Sequence, residues 1–196
     1  MPAVSLPEIK EAVLEKLKGL DDHLTYHNSF HTLDVLAQSE RIAMAEGRTD
    51  PEELFLLKVA ALYHDTGFLK TYRGHEKISC LIFLEDAGKI GFDDKQKELI
   101  QGLIMATQVP QKPVGILQEI ICDADLDYLG REDFYPLGDN LRKEFLHYKI
   151  VETDAQWETM QLSFFHNHHY HTQSSKMQRE SAKMKHFAEL LAHAPD

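Results

Sequence analysis

Apolar residues recur at steps of three and four along most of the chain, the spacing that places them on one face of an α-helix. No segment alternates apolar and polar residues over a length that would predict a strand. Glycine, proline and short polar stretches separate nine such segments. The expected helices lie near 6–18, 29–46, 54–65, 75–87, 94–104, 114–122, 133–148, 154–168 and 174–191. This pattern predicts an all-α, single-domain helical bundle spanning 1–196.

Several helix boundaries carry local signals. Asp50 followed by Pro51 predicts a helix start. An aspartate side chain can accept hydrogen bonds from the free backbone N–H groups of the first turn, and a proline there has no N–H that needs a partner. Ser5 and Asp93 are the matching candidates for the first and fifth helices. Gly88 and Gly91 are expected to end the fourth helix.

The third predicted helix ends in an unusual way. The run from Ala60 to Phe68 is apolar except near its centre, where His64 and Asp65 stand side by side. A buried imidazole or carboxylate costs free energy unless it finds a partner, and a bound metal ion would satisfy both. The spacing places His64 on the apolar face of its helix, so we expect it to point toward the core.

Two other segments also place a histidine or an aspartate beside apolar helical residues. His31 lies in the first turn of the second helix, and Asp125 follows the apolar end of the sixth. Asp123 and Asp127 are the alternatives to Asp125, with capping or solvated carboxylates as their simpler interpretation. Two imidazoles with two carboxylates suit one divalent Mn, Fe, Ni, Co or Zn ion better than Mg or Ca.

These residues sit within longer motifs, which are Tyr26-His27-Asn28-x-x-His31, Leu62-Tyr63-His64-Asp65-Thr66-Gly67, His75-Glu76-x-x-Ser79 and Asp123-Ala124-Asp125-x-x-Tyr128. In this order they resemble the HD-domain superfamily of metal-dependent phosphohydrolases. The resemblance covers roughly 26–130, the expected metal-binding core, and leaves a C-terminal helical extension over about 131–196. It implies a helical bundle around one ion, with metal ligands His31, His64, Asp65 and Asp125. The tail from Trp157 to Thr172 is similar to a small branch of predicted phosphohydrolases in that superfamily.

The resemblance also directs attention to the segment after the His-Asp pair. The substrate-binding candidates are Lys70, Arg73, His75, Thr107 and His168, and the catalytic candidates are Asp65, His75 and Glu76. Lys70, Arg73, His75 and Lys77 form a local cationic cluster that could hold a phosphate near a helix N-terminus. His75 could act as general acid or contact a second metal, and Glu76 could orient it or a water molecule. Some relatives in the superfamily hold two metals through additional histidines, but 103–108 contains none, which favours a mononuclear site.

Composition and net charge limit the classes of binding partner and the compartment that we expect. The 196 residues carry a formal net charge of −11, which argues against nucleic-acid polymers and anionic membrane surfaces. The two cysteines, Cys80 and Cys122, lack paired spacing, so free thiols in a reducing compartment are expected. The N-terminus lacks a signal-peptide core and no apolar run would span a bilayer, so the sequence predicts a soluble cytoplasmic protein. Arg179, Lys183 and Lys185 are expected on a solvated face. The oligomeric state is left open, a homo-oligomer included.

The first functional hypothesis is a hydrolase in which metal-activated water attacks a phosphomonoester or phosphodiester, with a nucleotide as the expected substrate. The second is a regulatory module that keeps the metal site and senses a nucleotide without turnover. The third is a lyase or oxygenase-like enzyme with two metals, against which the missing histidines count.

Overall fold

A computed structural model describes residues 4–193. Over these residues the chain forms nine α-helices, two short 3-10 helices and no strand, which confirms the all-α prediction. The α-helices are α1 (Leu6–Leu17), α2 (Ser29–Ala45), α3 (Pro51–Tyr63), α4 (His75–Ile90), α5 (Asp94–Ala106), α6 (Ile116–Asp125), α7 (Phe134–His147), α8 (Asp154–Asn167) and α9 (Gln173–His193). The 3-10 helices span Thr66–Leu69 and Asp127–Gly130. Within the described range, no helix combines the length and apolar composition needed to cross a bilayer.

The predicted starts are confirmed at the helix caps. Asp50 accepts from the backbone N–H groups of Glu52 and Glu53, and Ser5 and Asp93 each form a reciprocal capping box. Gly91 is the C-cap of α4, as predicted, but Gly88 lies inside that helix, which continues to Ile90. The predicted end of α6 was wrong, because the helix runs on to Asp125 with its apolar face buried through Ala124.

A large apolar core lies between the helices of the first two-thirds of the chain. Helix α2 packs against α3 and α6, and α3 also packs against α1 and α5. The core residues of α3 are almost completely buried, including Leu57, Ala61 and Tyr63. This burial fixes the C-terminal end of α3 deep in the molecule, where His64 and Asp65 follow.

A second, smaller aromatic cluster joins the C-terminal helices to the rest. Its buried members are Tyr26, Tyr128, Leu129, Phe134 and Phe165. Helix α9 packs along Asp127–Gly130, so closely that a Cβ on Gly130 would lie 2.4 Å from the Arg179 carbonyl oxygen.

Two basic residues of α9 do not lie on a solvated face, so that prediction was wrong for them. The Arg179 guanidinium donates to both carboxylate oxygens of Asp127, at 2.9 and 3.0 Å. Lys183 is 1% exposed, and its ammonium donates to the His168 carbonyl oxygen at 3.0 Å. Lys185 is exposed, as predicted. Long-range partners, which helical periodicity does not indicate, account for the buried Lys183 and the partly buried Arg179.

Candidate metal centre

Four side chains from three elements converge at the centre of the fold. His31 lies in the first turn of α2, where the Asn28 side chain caps the helix by accepting from Phe30 and His31. His64 is the C-cap of α3 and Asp65 follows it, while Asp125 ends α6. Because α2 packs against both α3 and α6, residues far apart in sequence meet here.

The distances between potential ligand atoms are short. His31 Nε2 lies 3.1 Å from Asp125 Oδ1, 3.3 Å from His64 Nε2 and 3.4 Å from Asp65 Oδ2. His64 Nε2 lies 3.2 Å from Asp65 Oδ2 and 3.6 Å from Asp125 Oδ1. Metal–nitrogen and metal–oxygen bonds of about 2.1 Å place neighbouring ligand atoms about 3.0–3.4 Å apart. The observed separations therefore fit the edges of one coordination polyhedron.

Two further observations test whether these residues suit a cation. His64 Nδ1–H donates to the Ala61 carbonyl oxygen at 2.8 Å, which directs Nε2 toward the cluster. Asp65 Oδ2 is buried and accepts no hydrogen bond. An unsatisfied carboxylate oxygen facing imidazole nitrogens is costly in a protein interior, and a shared divalent ion would remove the cost. The donor set therefore fits a divalent metal, and its mixed nitrogen and oxygen character fits a transition metal.

The electrostatics of the cluster keep its carboxylates ionised. Burial by itself raises the pKa of Asp125, but hydrogen bonds from His31 and His64 outweigh it and lower the pKa to about 2. Burial likewise opposes ionisation of Asp65, yet the neighbouring positive charge of His64 holds its pKa well below the ordinary value. Ionised carboxylates are the form that coordinates a metal.

A close backbone crossing holds the His64–Asp65 turn in place. A Cβ on Gly67 would lie 1.9 Å from the His75 carbonyl oxygen, so only glycine fits where Thr66–Leu69 passes the start of α4. The Ser79 hydroxyl accepts from Gly67 N–H at 2.8 Å and donates to the His64 carbonyl oxygen at 2.6 Å. These contacts explain why glycine and serine occur in the sequence motifs.

His75 and Glu76 lie at the edge of the cluster. His75 Nε2 is 3.3 Å from Asp65 Oδ1 and 3.7 Å from Glu76 Oε1. Its Nδ1 lies 3.2 Å from the Tyr72 carbonyl oxygen, a contact that requires the Nδ1–H form. Nε2 is therefore the ring atom that can hold a transferable proton or coordinate a metal.

A pocket of about 500 Å³ opens beside these groups. At its polar end lie Asp65, Asp125, His75, Glu76 and the exposed Arg73. Its far side is formed by aromatic and aliphatic side chains. This volume is in the range of small-molecule sites.

Only some of the remaining candidates for substrate binding line this pocket. Thr107 lines the pocket, although its hydroxyl already donates to the Ile104 carbonyl oxygen at 2.8 Å. Lys70 is exposed along a separate groove, because the 3-10 helix before it turns its backbone away from the pocket. Lys77 is exposed and also lies outside the pocket lining. The structure thus brings together only Arg73 and His75 of the expected cationic cluster.

His168 does not reach the main pocket. It lines a smaller adjoining cavity of about 110 Å³, behind a wall of Val109, Leu126 and Phe164 that both cavities share. Burial and the neighbouring Lys183 charge lower the pKa of His168 to about 3, so its ring is neutral. Its contact with Lys183 gives it a packing role between α8 and α9.

The two aspartates flanking Asp125 are occupied elsewhere. Asp123 accepts from Thr172 Oγ1 at 2.7 Å and from the backbone N–H groups of His171 and Thr172. Asp127 pairs with Arg41 and Arg179, and its side chain is fully buried. The simpler interpretation of both as caps or solvated carboxylates was wrong, because each anchors a distant segment.

Glu144 is a pocket-supporting residue that the sequence did not reveal. Its buried carboxylate accepts from Tyr26 N–H (2.9 Å), His27 N–H (3.1 Å), the His27 ring and the Tyr72 hydroxyl (2.8 Å). His27 in turn stacks on Phe68, at 4.4 Å between ring centroids. A glutamate three residues after Leu141 on the apolar face of α7 was the available signal.

The family comparison agrees with this geometry. A sequence model of the HD domain matches residues 29–127, just over half of the 196 residues, and the match spans all four converging side chains. No curated protein and no solved structure gives a significant match to the chain. The chain therefore belongs to the HD domain family, a superfamily of metal-dependent phosphohydrolases.

Proposed function

We propose that this protein is a phosphoric ester hydrolase that uses one divalent transition metal and acts on a small phosphomonoester or phosphodiester. The observation that carries the proposal is that His31 and His64 each lie 3.1–3.6 Å from both Asp65 and Asp125, and that both aspartates line a pocket of about 500 Å³. A divalent ion held there supplies Lewis-acid chemistry toward water and a phosphoryl oxygen.

The chain's own residues have distinct roles in this proposal. Arg73 lies at the polar end of the pocket, where its guanidinium can bind a phosphate oxygen. His75 can hold a proton on Nε2 and donate it to the leaving oxygen, because its Nδ1–H is directed to the Tyr72 carbonyl. Asp65 orients that ring from 3.3 Å, and Glu76 contacts it from the other side.

The number of metals follows from the residues after α5. Thr107 and Gln108 line the pocket where dinuclear relatives were expected to carry histidines, and Gln108 donates to Glu76 at 3.5 Å. His75 is the sole additional imidazole near Asp65 among the pocket residues apart from His27, which Glu144 holds. One ion per chain is accordingly proposed.

The test is a screen of phosphomonoesters and phosphodiesters with Mn²⁺, Co²⁺ and Ni²⁺, using the native chain and Asp65→Ala. Turnover is expected only with metal, and Asp65→Ala should lower it more than about a hundredfold, since even outer-shell changes at metal sites cost 10–100-fold. Asp94→Ala, at a fully exposed carboxylate, is the control and should retain activity. Equal turnover in the two variants would contradict the proposal. A phosphate ester that raises the melting temperature without being hydrolysed would favour the sensing module instead.

A further inference from the structure

The pocket is built from two parts of the chain with different chemistry. Its charged residues, Asp65, Arg73, His75, Glu76 and Asp125, all fall within the segment that matches the HD family. A second set of lining residues, which forms the apolar wall of the pocket, comes from the C-terminal extension beyond that match. Its lining side chains are mainly large and apolar. They include Leu141, Phe145, Ile150, Trp157, Met160 and Phe164.

The aromatic members of this wall are held by one another. Phe145 packs edge-on against Trp157, at 5.4 Å between centroids, and lies 6.3 Å from Tyr72. Trp157 is 7% exposed, so it forms a fixed floor. A rigid aromatic surface favours a bulky apolar group, because its burial costs the protein little ordering entropy.

Polar groups in this wall are few. The extension contributes the Gln161 amide and the Trp157 indole N–H, and no charged side chain, while Tyr128, just before it, adds a phenol. The ribose hydroxyls and base edge of a nucleotide would leave several buried donors and acceptors unpaired here, at a cost to binding. An apolar alcohol moiety has no such groups to satisfy.

The charge at the polar end also limits the substrate. Arg73 is the only lysine or arginine among the described residues that line the pocket, and the carboxylates of Asp65, Glu76 and Asp125 line the same pocket. One divalent ion and one guanidinium would supply three positive charges, which equal the three negative charges of these carboxylates, so every phosphate charge adds to the net negative charge of the site and a monophosphate adds least. The several negative charges of a triphosphate would have no further cation to offset them in this pocket, in a chain of net charge −11.

We infer that the substrate is a monophosphate ester of a bulky apolar alcohol, aromatic or polycyclic in character, with its apolar group against the wall of the C-terminal extension. This inference rests on the proposed hydrolase for the phosphate end and on the extension for the apolar end. It favours esters of apolar alcohols over nucleotides as substrates.

The test separates binding from turnover. In metal-free protein no metal-dependent hydrolysis occurs, so displacement of the fluorescent probe 1-anilinonaphthalene-8-sulfonate reports binding alone. Saturable probe binding is expected, with displacement by 1-naphthyl phosphate at concentrations at least about tenfold below those of 5′-AMP, ATP or glycerol phosphate, the discrimination typical of a well-matched apolar pocket. Displacement by AMP or ATP at equal or lower concentration, or absence of saturable probe binding, would overturn the inference.

Two methionine variants test whether the probe and 1-naphthyl phosphate bind against the apolar wall. Met160 lines the pocket and is 38% exposed, so Met160→Asp changes the wall at a position that tolerates a polar group. It should weaken binding of the probe and of 1-naphthyl phosphate about tenfold or more. Met177→Asp is the matched control, since Met177 is 75% exposed on α9 and outside the pocket. Identical behaviour of the two variants would place the apolar site elsewhere and refute the inference.

The metal-loaded protein provides the second readout. With Mn²⁺, kcat/KM for 1-naphthyl phosphate is expected to exceed that for 5′-AMP and glycerol phosphate by about tenfold or more. If 1-naphthyl phosphate binds selectively but no ester is hydrolysed with any metal, the proposed function fails while the pocket's ligand preference stands. If AMP is the better substrate, hydrolysis stands and the preference fails.

Discussion

Replacing Glu144 with glutamine tests whether one buried carboxylate holds the entrance side of the pocket together. All four of its contacts come from donors, two on each oxygen. A glutamine NH₂ group in the place of Oε2 would face two backbone N–H donors, and in the place of Oε1 it would force the His27 ring and the Tyr72 hydroxyl to become acceptors and would remove the ion pair with His27. Each hydrogen bond to a charged group is worth about 1.5–3 kcal/mol, and breaking a buried ion pair costs about 3–5 kcal/mol. We therefore expect Glu144→Gln to lower the free energy of unfolding by about 3–5 kcal/mol.

The stability lost in Glu144→Gln should become smaller both as the pH is lowered and as it is raised. Burial raises the pKa of Glu144, but His27 and the hydrogen bonds outweigh it, so the folded pKa is lowered. Its contribution to stability is present above the unfolded pKa of about 4.3 and is lost as pH falls through the folded pKa. For His27, Glu144 outweighs burial and raises the pKa. That contribution is present below about pH 6.5 and is lost as pH rises through the folded pKa.

Urea unfolding followed by fluorescence of the single tryptophan, Trp157, measures the difference at pH 3.5, 5.5 and 9. The loss in Glu144→Gln should be largest at pH 5.5 and smaller on either side. Glu85→Gln, at an exposed residue of α4, should change stability by less than about 0.5 kcal/mol. A loss below about 1 kcal/mol at pH 5.5, or one independent of pH, would refute the reasoning.

Three further substitutions have defined outcomes. Gly67→Ala should lower thermal stability and weaken metal binding, since its Cβ would lie 1.9 Å from the His75 carbonyl; unchanged binding in calorimetry would contradict this. Phe83→Ala, at a fully buried ring, should cost about 3–5 kcal/mol in urea unfolding, whereas Phe30→Ala, at an 82% exposed ring, should cost almost nothing; equal costs would be inconsistent with this core. Asp127→Ala should cost about 3 kcal/mol and speed amide exchange in α9, because the partly buried Arg41 and Arg179 lose the buried carboxylate that they share; native exchange in α9 would argue against that anchor.

Much of the fold could be predicted from local patterns. Caps such as Asp50 act within one helical turn, so sequence alone locates them. His64 was expected inside because it continues the apolar face of α3, and it is 1% exposed. The convergence of His31 and Asp125 on it depended on the resemblance to a family, since periodicity does not say which helices are neighbours.

The errors share a physical cause. Lys183 and Arg179 are charged, and charged residues are usually exposed unless they find a partner. Their long-range partners, the His168 carbonyl for Lys183 and Asp127 for Arg179, become visible only once α9 is folded against the rest. Lys70 was expected at the pocket from its closeness in sequence to Arg73, but the 3-10 helix before it changes its direction.

Metal content tests the central claim most directly. The native chain, His64→Ala and His169→Ala should each be loaded with Mn²⁺, Co²⁺, Ni²⁺ or Zn²⁺, dialysed and analysed for bound elements. His169 is an exposed histidine near the end of α8, so its variant controls for metal held by surface histidines. We predict about one ion per chain in the native protein and in His169→Ala, and almost none in His64→Ala. Equal metal content in native and His64→Ala proteins, or no retained metal in the native chain, would contradict the claim that His31, His64, Asp65 and Asp125 form a metal centre.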